Sequence, residues 1–207
     1  VEATTNKVKQ VYQSLRTKMA GQVIWITGLS GAGKTTLAEQ LDVCLQKLGL
    51  QVILLDGDML RNLFWDADPK SESYTRQERI KLALKYSHLC KTLSAQGFDI
   101  IIATISMFNE VYDWNRENIT NYFEVYLKVP LKELRRRDPK FIYKRYDDGD
   151  LRNVAGLDLK VDEPFKSHLT LDFEAHPLIW QSNEYLAEHL LSKLKKSKFN
   201  QKLQQHL

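Results

Sequence analysis

Gly28-Leu29-Ser30-Gly31-Ala32-Gly33-Lys34-Thr35 fills every position of the pattern G-x-x-x-x-G-K-[ST]. It stands between an apolar run, Val23-Ile24-Trp25-Ile26-Thr27, and a segment in which Leu37, Ala38, Leu41, Leu45 and Leu48 recur at helical spacing before Gly49. Strand, glycine-rich turn and helix in that order build a phosphate-binding loop. Backbone N–H groups of the turn and of the helix start hold phosphate oxygens, Lys34 reaches the β/γ-phosphates, and the Thr35 hydroxyl ligates Mg²⁺. A flexible Gly/Ser turn is the bland alternative, and the complete octet with both flanks argues against it. The chain therefore reads as a nucleotide user, with ATP and Mg²⁺ as expected cofactors.

The rest of the chain fits one α/β domain. It has 207 residues, 43% of them hydrophobic, enough for one substantial core, and no Pro/Gly/Ser-rich linker or internal repeat divides it. After the loop unit come apolar strands at 52–56, 99–104, 122–129 and 168–173, with a long helix over 77–96 stopped by Gly97. Continuous apolar strands separated by helices predict a three-layer α/β/α fold around a central, mainly parallel sheet, with ligands at the carboxyl ends of the strands. The expected parts are an amphipathic N-terminal helix over 1–20, a domain over 21–180 with a lid near 138–160, and a C-terminal helix over 181–207.

Charge and cysteines bound the partners. A formal net charge of +4 suits anionic small molecules, and no motif that reads RNA or DNA is present. Cys44 and Cys90 each sit in an apolar helical pattern and read as buried thiols, which fits a reducing, cytoplasmic setting. No apolar run reaches membrane-span length and no signal-peptide core is visible, although Val1 in the place of Met points to a start that lies upstream. The terminal amphipathic helices are expected to pack on their own domain or on a second subunit, which makes a homodimer the expected assembly and a membrane surface the minor alternative.

Two strand ends carry further chemistry. The second strand runs into Asp56-Gly57-Asp58 with Arg61 one helical turn later. Beside a phosphate loop, these carboxylates can organise Mg²⁺ or accept a proton from an attacking hydroxyl, and Arg61 can pair with a phosphate or sulfate. The third strand delivers Ile105 and Ser106 to the same crevice, and the cation-dense run from Arg136 to Arg145 has the form of a lid that closes over ATP.

With these residues in view, the chain resembles the adenylylsulfate kinase family. The resemblance rests on the loop extended to Thr36, Leu55-Asp56-Gly57-Asp58 with Arg61, Ile105-Ser106, Arg137-Asp138-Pro139-Lys140, Tyr143-Lys144, and Asn153 through Gly156-Leu157-Asp158 with Glu163-Pro164. It spans residues 21–173. It implies a P-loop kinase with a lid that moves the γ-phosphoryl group of ATP onto the ribose 3′-hydroxyl of adenylylsulfate, giving PAPS, in sulfate activation. Lys34, Asp56 and Asp58 are then the catalytic candidates, with Thr35 and Asp56 on the metal. Gly28, Ser30, Gly31, Ala32, Gly33, Lys34, Thr35, Thr36, Arg137 and Lys144 hold ATP. Asp58, Arg61, Arg76, Arg79, Ile105, Ser106, Arg152 and Val154 face the acceptor.

The departures lie in the acceptor segment. The family typically has Phe-Ser-x-x-Asp-Arg-x-x-Asn-Ile-Arg-Arg before the long helix and Asn-Phe-Thr-Gly-Ile-Asp after the lid, and the two phenylalanines clamp the acceptor's adenine. Here Arg76 matches the motif arginine, Arg79 replaces the asparagine, no Phe is in register (Tyr74 is the nearest aromatic), and Val154 stands at the second Phe. Losing both faces removes about 1–3 kcal/mol of stacking per face, enough to change the preferred base. Phe108, Tyr112 or Trp114 could return an aromatic. A kinase for another activated nucleotide, such as cytidine diphosphoramidate for capsule decoration, is the alternative acceptor reading. A nucleotide-binding regulatory domain without turnover is the alternative class.

Overall fold

The computed structural model describes residues 20–64 and 75–195. The expected helix over 1–20, Tyr74, and the end of the C-terminal segment lie outside those residues.

Among the described residues, five strands form one sheet in the order β2-β3-β1-β4-β5, and every neighbouring pair is parallel. The strands are β1 Val23–Thr27, β2 Ile53–Asp56, β3 Ile100–Ala103, β4 Tyr122–Lys128 and β5 Leu169–Asp172. β1 is central, with Val23 opposite both Ile100 and Tyr122. The helices are α1 Lys34–Gln46, α2 Gly57–Phe64, α3 Arg76–Ser94, α4 Asn109–Asn118, α5 Leu131–Arg137, α6 Ile142–Asp147 and α7 Asn183–Lys195, with a 3₁₀ turn at Pro177–Trp180.

A two-residue period sorts each strand between two apolar layers. Ile24 and Ile26 face a layer with Leu37, Leu41 and Leu45 of α1 and Leu190 and Leu194 of α7. Val23 and Trp25 face the other layer, with Ile80, Ala83 and Cys90 of α3 and Val111 of α4. Burial on both faces explains why the strands read as continuous apolar runs. Cys90 is buried, which pushes its thiol up to about 12, while Cys44 is only half-buried.

Two helices escaped the sequence reading. α2, which begins at the residue after β2 with no connecting loop, falls where only a polar segment was expected. Gly57 allows the close approach of α2 to β3, since a Cβ there would crowd the Thr104 hydroxyl at 3.0 Å and the Ala103 carbonyl at 3.2 Å. α4 buries only Val111, Tyr112 and Asn115, too few apolar positions to show a period. It is anchored instead by charge: Arg116 donates to the fully buried Glu124 of β4 at 2.8 Å, and the Tyr122 hydroxyl donates to the same carboxylate at 2.9 Å.

The start of α3 is fixed by a capping box. The Glu78 N–H donates to the Thr75 hydroxyl at 3.3 Å, and the Glu78 carboxylate accepts from the Thr75 N–H at 2.9 Å. Replacing Thr75 by Ala is expected to lower stability by about 1 kcal/mol, since it orphans helix N–H groups without touching the core. Denaturant unfolding of wild type and Thr75→Ala at neutral pH checks this, and a cost near zero would mean that water caps the helix equally well.

Candidate active site

The carboxyl ends of β1, β2 and β3 open into one cleft of about 540 Å³, floored by the phosphate loop and roofed by α5 and α6. Gly31 and Gly33 take the left-handed backbone, φ 76° and 93°, which a side chain disfavours and which turns the loop into the first turn of α1. The Lys34 ammonium donates to the Leu29 carbonyl at 2.8 Å. Burial, aided by the nearby Lys140 cation and opposed by Asp58 and Asp56, pulls its pKa down from the usual lysine range to about 8.

Asp56 joins the two sides of the cleft. One of its oxygens accepts from the Thr35 hydroxyl at 2.8 Å, and the other accepts from the Asp58 N–H at 2.8 Å, capping α2. A hydroxyl and a carboxylate at that spacing, open to the cleft, are hard oxygen donors of the kind Mg²⁺ takes when phosphates and water complete its shell, so Thr35 and Asp56 fit the ion. Asp58 is held by Arg61 and by Lys140 from the lid. Burial alone would raise its pKa, but the Lys140 hydrogen bond and the cations of Arg61, Lys140 and Lys34 outweigh it and hold the carboxyl below its ordinary range.

The lid segment is clamped from several points. The Tyr143 hydroxyl donates to the Ser30 carbonyl at 2.9 Å, so α6 rests on the phosphate loop. Asp138 accepts from the N–H groups of Tyr143 at 3.2 Å and Lys144 at 2.9 Å, which fixes the Pro139-Lys140 corner. Arg137 donates to Glu133 at 2.8 Å, and its guanidinium lies 5.1 Å from the Phe173 ring and 5.8 Å from the Trp180 ring.

The expected site residues divide accordingly. Ser30, Gly31, Gly33, Lys34, Thr35, Thr36, Asp56, Asp58, Arg61, Arg79, Ile105, Ser106 and Arg137 line the cleft. Gly28 and Ala32 shape the loop from beneath without lining it. Four expected side chains lie off the cleft lining in this structure. Arg76 turns away to Glu110 at 2.9 Å and Asp162 at 2.6 Å, tying α3 to α4 and to the segment beyond the lid. Lys144 is exposed beyond the cleft, and its contribution is its backbone N–H. Arg152 is exposed, 6.0 Å from the Tyr146 ring. Val154 is 5% exposed, with the cleft-lining position passing to Ala155.

Sequence reasoning gave no individual role to Lys140, Tyr143, Tyr86 or Asn183, although all but Tyr143 line the cleft and Tyr143 grips its floor; Phe108, offered as a returning aromatic, lines the cleft as well. Lys140 had a signal, its place in Arg137-Asp138-Pro139-Lys140; Asn183 had none. Arg79 lines the cleft and donates to the Asn153 carbonyl at 2.8 Å, linking α3 to the turn that follows α6.

Residues 20–172 match the family model described as adenylylsulphate kinase. A cytidine diphosphoramidate kinase of Campylobacter jejuni is 42% identical over 142 residues, 69% of this chain and 81% of that protein. An adenylyl-sulfate kinase of Pseudomonas aeruginosa is 36% identical over 152 residues, 72% of this chain and 76% of that protein. Among solved structures, the APS kinase of Mycobacterium tuberculosis in complex with AMPPNP and APS superposes with a TM-score of 0.75 at 27% identity, covering 85% of this chain and 98% of that one.

Two outcomes follow from the geometry. Anionic phosphates favour charged Lys34, so nucleotide binding at pH 8 is expected to take up roughly half a proton, and affinity is expected to fall as the pH rises through that value. Calorimetric titration of ADP in buffers of different ionisation enthalpy reads this directly; equal heats in all buffers would contradict it, and Lys34→Arg should abolish the uptake. Second, Val154→Phe is expected to overpack a filled site, costing about 1–3 kcal/mol of stability with no tighter acceptor binding. Unfolding and acceptor titration of that variant decide the point, because a restored clamp would instead tighten the acceptor.

Proposed function

The chain belongs to the adenylylsulfate kinase family, and from that footing we propose that it transfers the γ-phosphoryl group of ATP to a ribose hydroxyl of an activated nucleotide, adenylylsulfate being the first acceptor reading. Its named relatives are phosphotransferases that act on hydroxyl groups. The observation that carries the reading is the convergence of Lys34, Thr35, Asp56, Asp58 and Arg61 on one cleft between phosphate loop and lid. A regulatory domain that had lost its substrate would have no need of Asp58 and Arg61 held opposite the loop.

In this reading the loop amides and Lys34 hold the β/γ-phosphates of ATP and stabilise charge on the transferring group. Mg²⁺, held by Thr35 and Asp56, neutralises charge on the phosphate oxygens when bound. The acceptor displaces Lys140 from Asp58, and that carboxylate then accepts a hydrogen bond from the attacking hydroxyl. The hydroxyl oxygen bonds to the γ-phosphorus, the bond to the β,γ-bridging oxygen breaks, ADP leaves, and the proton passes to Asp58 or solvent. While Lys140 and Arg61 hold Asp58 it is a poor base, so its first contribution is orientation. Arg61 pairs with the acceptor's own anionic group.

Cytidine diphosphoramidate is the second acceptor reading. It is supported by the 42% identity to a kinase named for that compound and by two residues of the acceptor segment: Val154, at the family's second clamp phenylalanine, is buried, and Arg79 takes the place of the family asparagine.

The test compares kcat/KM for adenylylsulfate and cytidine diphosphoramidate at saturating ATP, in wild type and Asp58→Asn. The proposal expects one acceptor to be used at least tenfold better than the other, and Asp58→Asn to lower kcat by about 10²-fold or more while the KM for ATP stays within a few-fold. No turnover of either acceptor by folded wild type defeats the acceptor reading, and an Asp58→Asn protein that keeps kcat while losing ATP affinity moves Asp58 to the donor side.

A further inference from the structure

The cleft has two ends, set by the strand order. β2, β3, α2 and α3 bring Asp56, Asp58, Arg61 and Arg79 to one end, beside one edge of the sheet. β5, at the opposite edge, leads through the 3₁₀ turn into α7, which supplies Asn183 to the same cleft. The phosphate loop lies between them. A nucleoside triphosphate whose γ-phosphate faces Asp58 must point its base away from the acceptor carboxylates, toward β5 and α7. This placement rests on the kinase reading above.

That end holds two side chains suited to a purine. Arg137 lines the cleft, its Nε tethered to Glu133 at 2.8 Å, and its guanidinium is backed by the rings of Phe173 at 5.1 Å and Trp180 at 5.8 Å. Those rings in turn meet edge to face at 5.5 Å. A planar cation held in this way offers a stacking surface to a base at small cost in side-chain freedom. Asn183 is exposed at the same end, and its amide carries one acceptor and one donor side by side. Adenine presents a complementary pair, the N6 amino donor beside the N7 acceptor, whereas guanine presents two acceptors, O6 and N7. Asn183 lies beyond residues 20–172, the part matched by the family model.

We infer that Asn183 selects the base of the phosphoryl donor, pairing with the Hoogsteen edge of adenine while the base stacks on Arg137, so that the C-terminal helix completes the donor site and sets ATP above GTP. Trp180 acts through Arg137 and is a positioning residue.

The test is binding of fluorescent mant-ADP and mant-GDP in the absence of any acceptor. Wild type is expected to prefer the adenine diphosphate, and Asn183→Ala to narrow that preference about tenfold, since one bidentate pair discriminates by about that much or more. Asn183 is exposed, so the melting temperature should not move. Arg137→Lys keeps the charge and loses the planar surface; it should weaken both diphosphates alike and leave their ratio unchanged. Trp180→Leu should do the same to a smaller degree, with the acceptor KM unaltered in turnover. Equal affinity of wild type for the two diphosphates, or an unchanged ratio in Asn183→Ala, overturns the inference. Failure of wild type to bind either diphosphate overturns the kinase reading itself, a different result.

Discussion

The Asp56 carboxylate is the joint on which the site depends. It stands at the last residue of β2, and its two oxygens serve two different elements, the Thr35 hydroxyl of α1 and the Asp58 N–H of α2. One group thereby sets the distance between the phosphate loop and the Asp58 carboxylate, both delivered by parallel strands whose ends lie at the same level. The register makes this possible: Leu55 and Trp25 both pair with Ile102, so β1 and β2 finish side by side across β3. A cap of this kind contributes about 1 kcal/mol to the fold, a small part of its value, because geometry at the reacting atoms weighs far more heavily on rate.

Around that joint the backbone is held in sparsely populated conformations. Among the described residues, the non-glycine positions with positive φ are Ser106, Asp138, Phe141 and Asn153. Ser106 lines the cleft, Asp138 and Phe141 bracket the Pro139-Lys140 corner, and Asn153 gives its carbonyl to Arg79. Each such residue costs of order 1–3 kcal/mol and persists only where its surroundings over-determine it. The surroundings here are specific: the Thr104 and Ser106 hydroxyls bond at 2.8 Å, Asp138 caps α6, and the Asp158 carboxylate accepts from the Asn153 N–H at 2.8 Å and the Val154 N–H at 2.6 Å. Strain gathered on one cleft marks the part of the molecule shaped for something other than stability.

The sheet, both covering layers and the phosphate loop were legible because each rests on a local pattern: continuous apolar strands, helical spacing, an octet of fixed residue types. What could not be read depends on neighbours distant in sequence. α4 takes its place from the buried Glu124–Arg116 pair, which joins a helix to the next strand and leaves no apolar period to read. Arg76 matched a motif by position, yet Glu110 and Asp162 offer it two carboxylates, and a guanidinium so paired has little reason to turn toward the cleft. Val154 aligned with a phenylalanine but faces the core, because Asp158 fixes the turn from beneath and presents Ala155 instead. Asn183 needed the strand order itself, since only a sheet with β5 at the far edge carries α7 back to the cleft.

The same constraint separates what this chain shares with its relatives from what is its own. The phosphate loop, Asp56 and Asp58 are bound to one another through backbone and short side chains, so a shift of one strains the others. The wall beyond them is built from other elements: Arg79, Leu82, Tyr86, Phe108 and Ala155 line the cleft from α3, from the start of α4 and from the turn at 153–158, which packs on Leu29 of the loop. Substitution there changes the shape and polarity offered to a base while leaving the phosphates where they were. A loss of about 1–3 kcal/mol per missing aromatic face is then a change of substrate preference and not of reaction, because stacking acts on the bound base and the transition-state charge lies on the phosphoryl group.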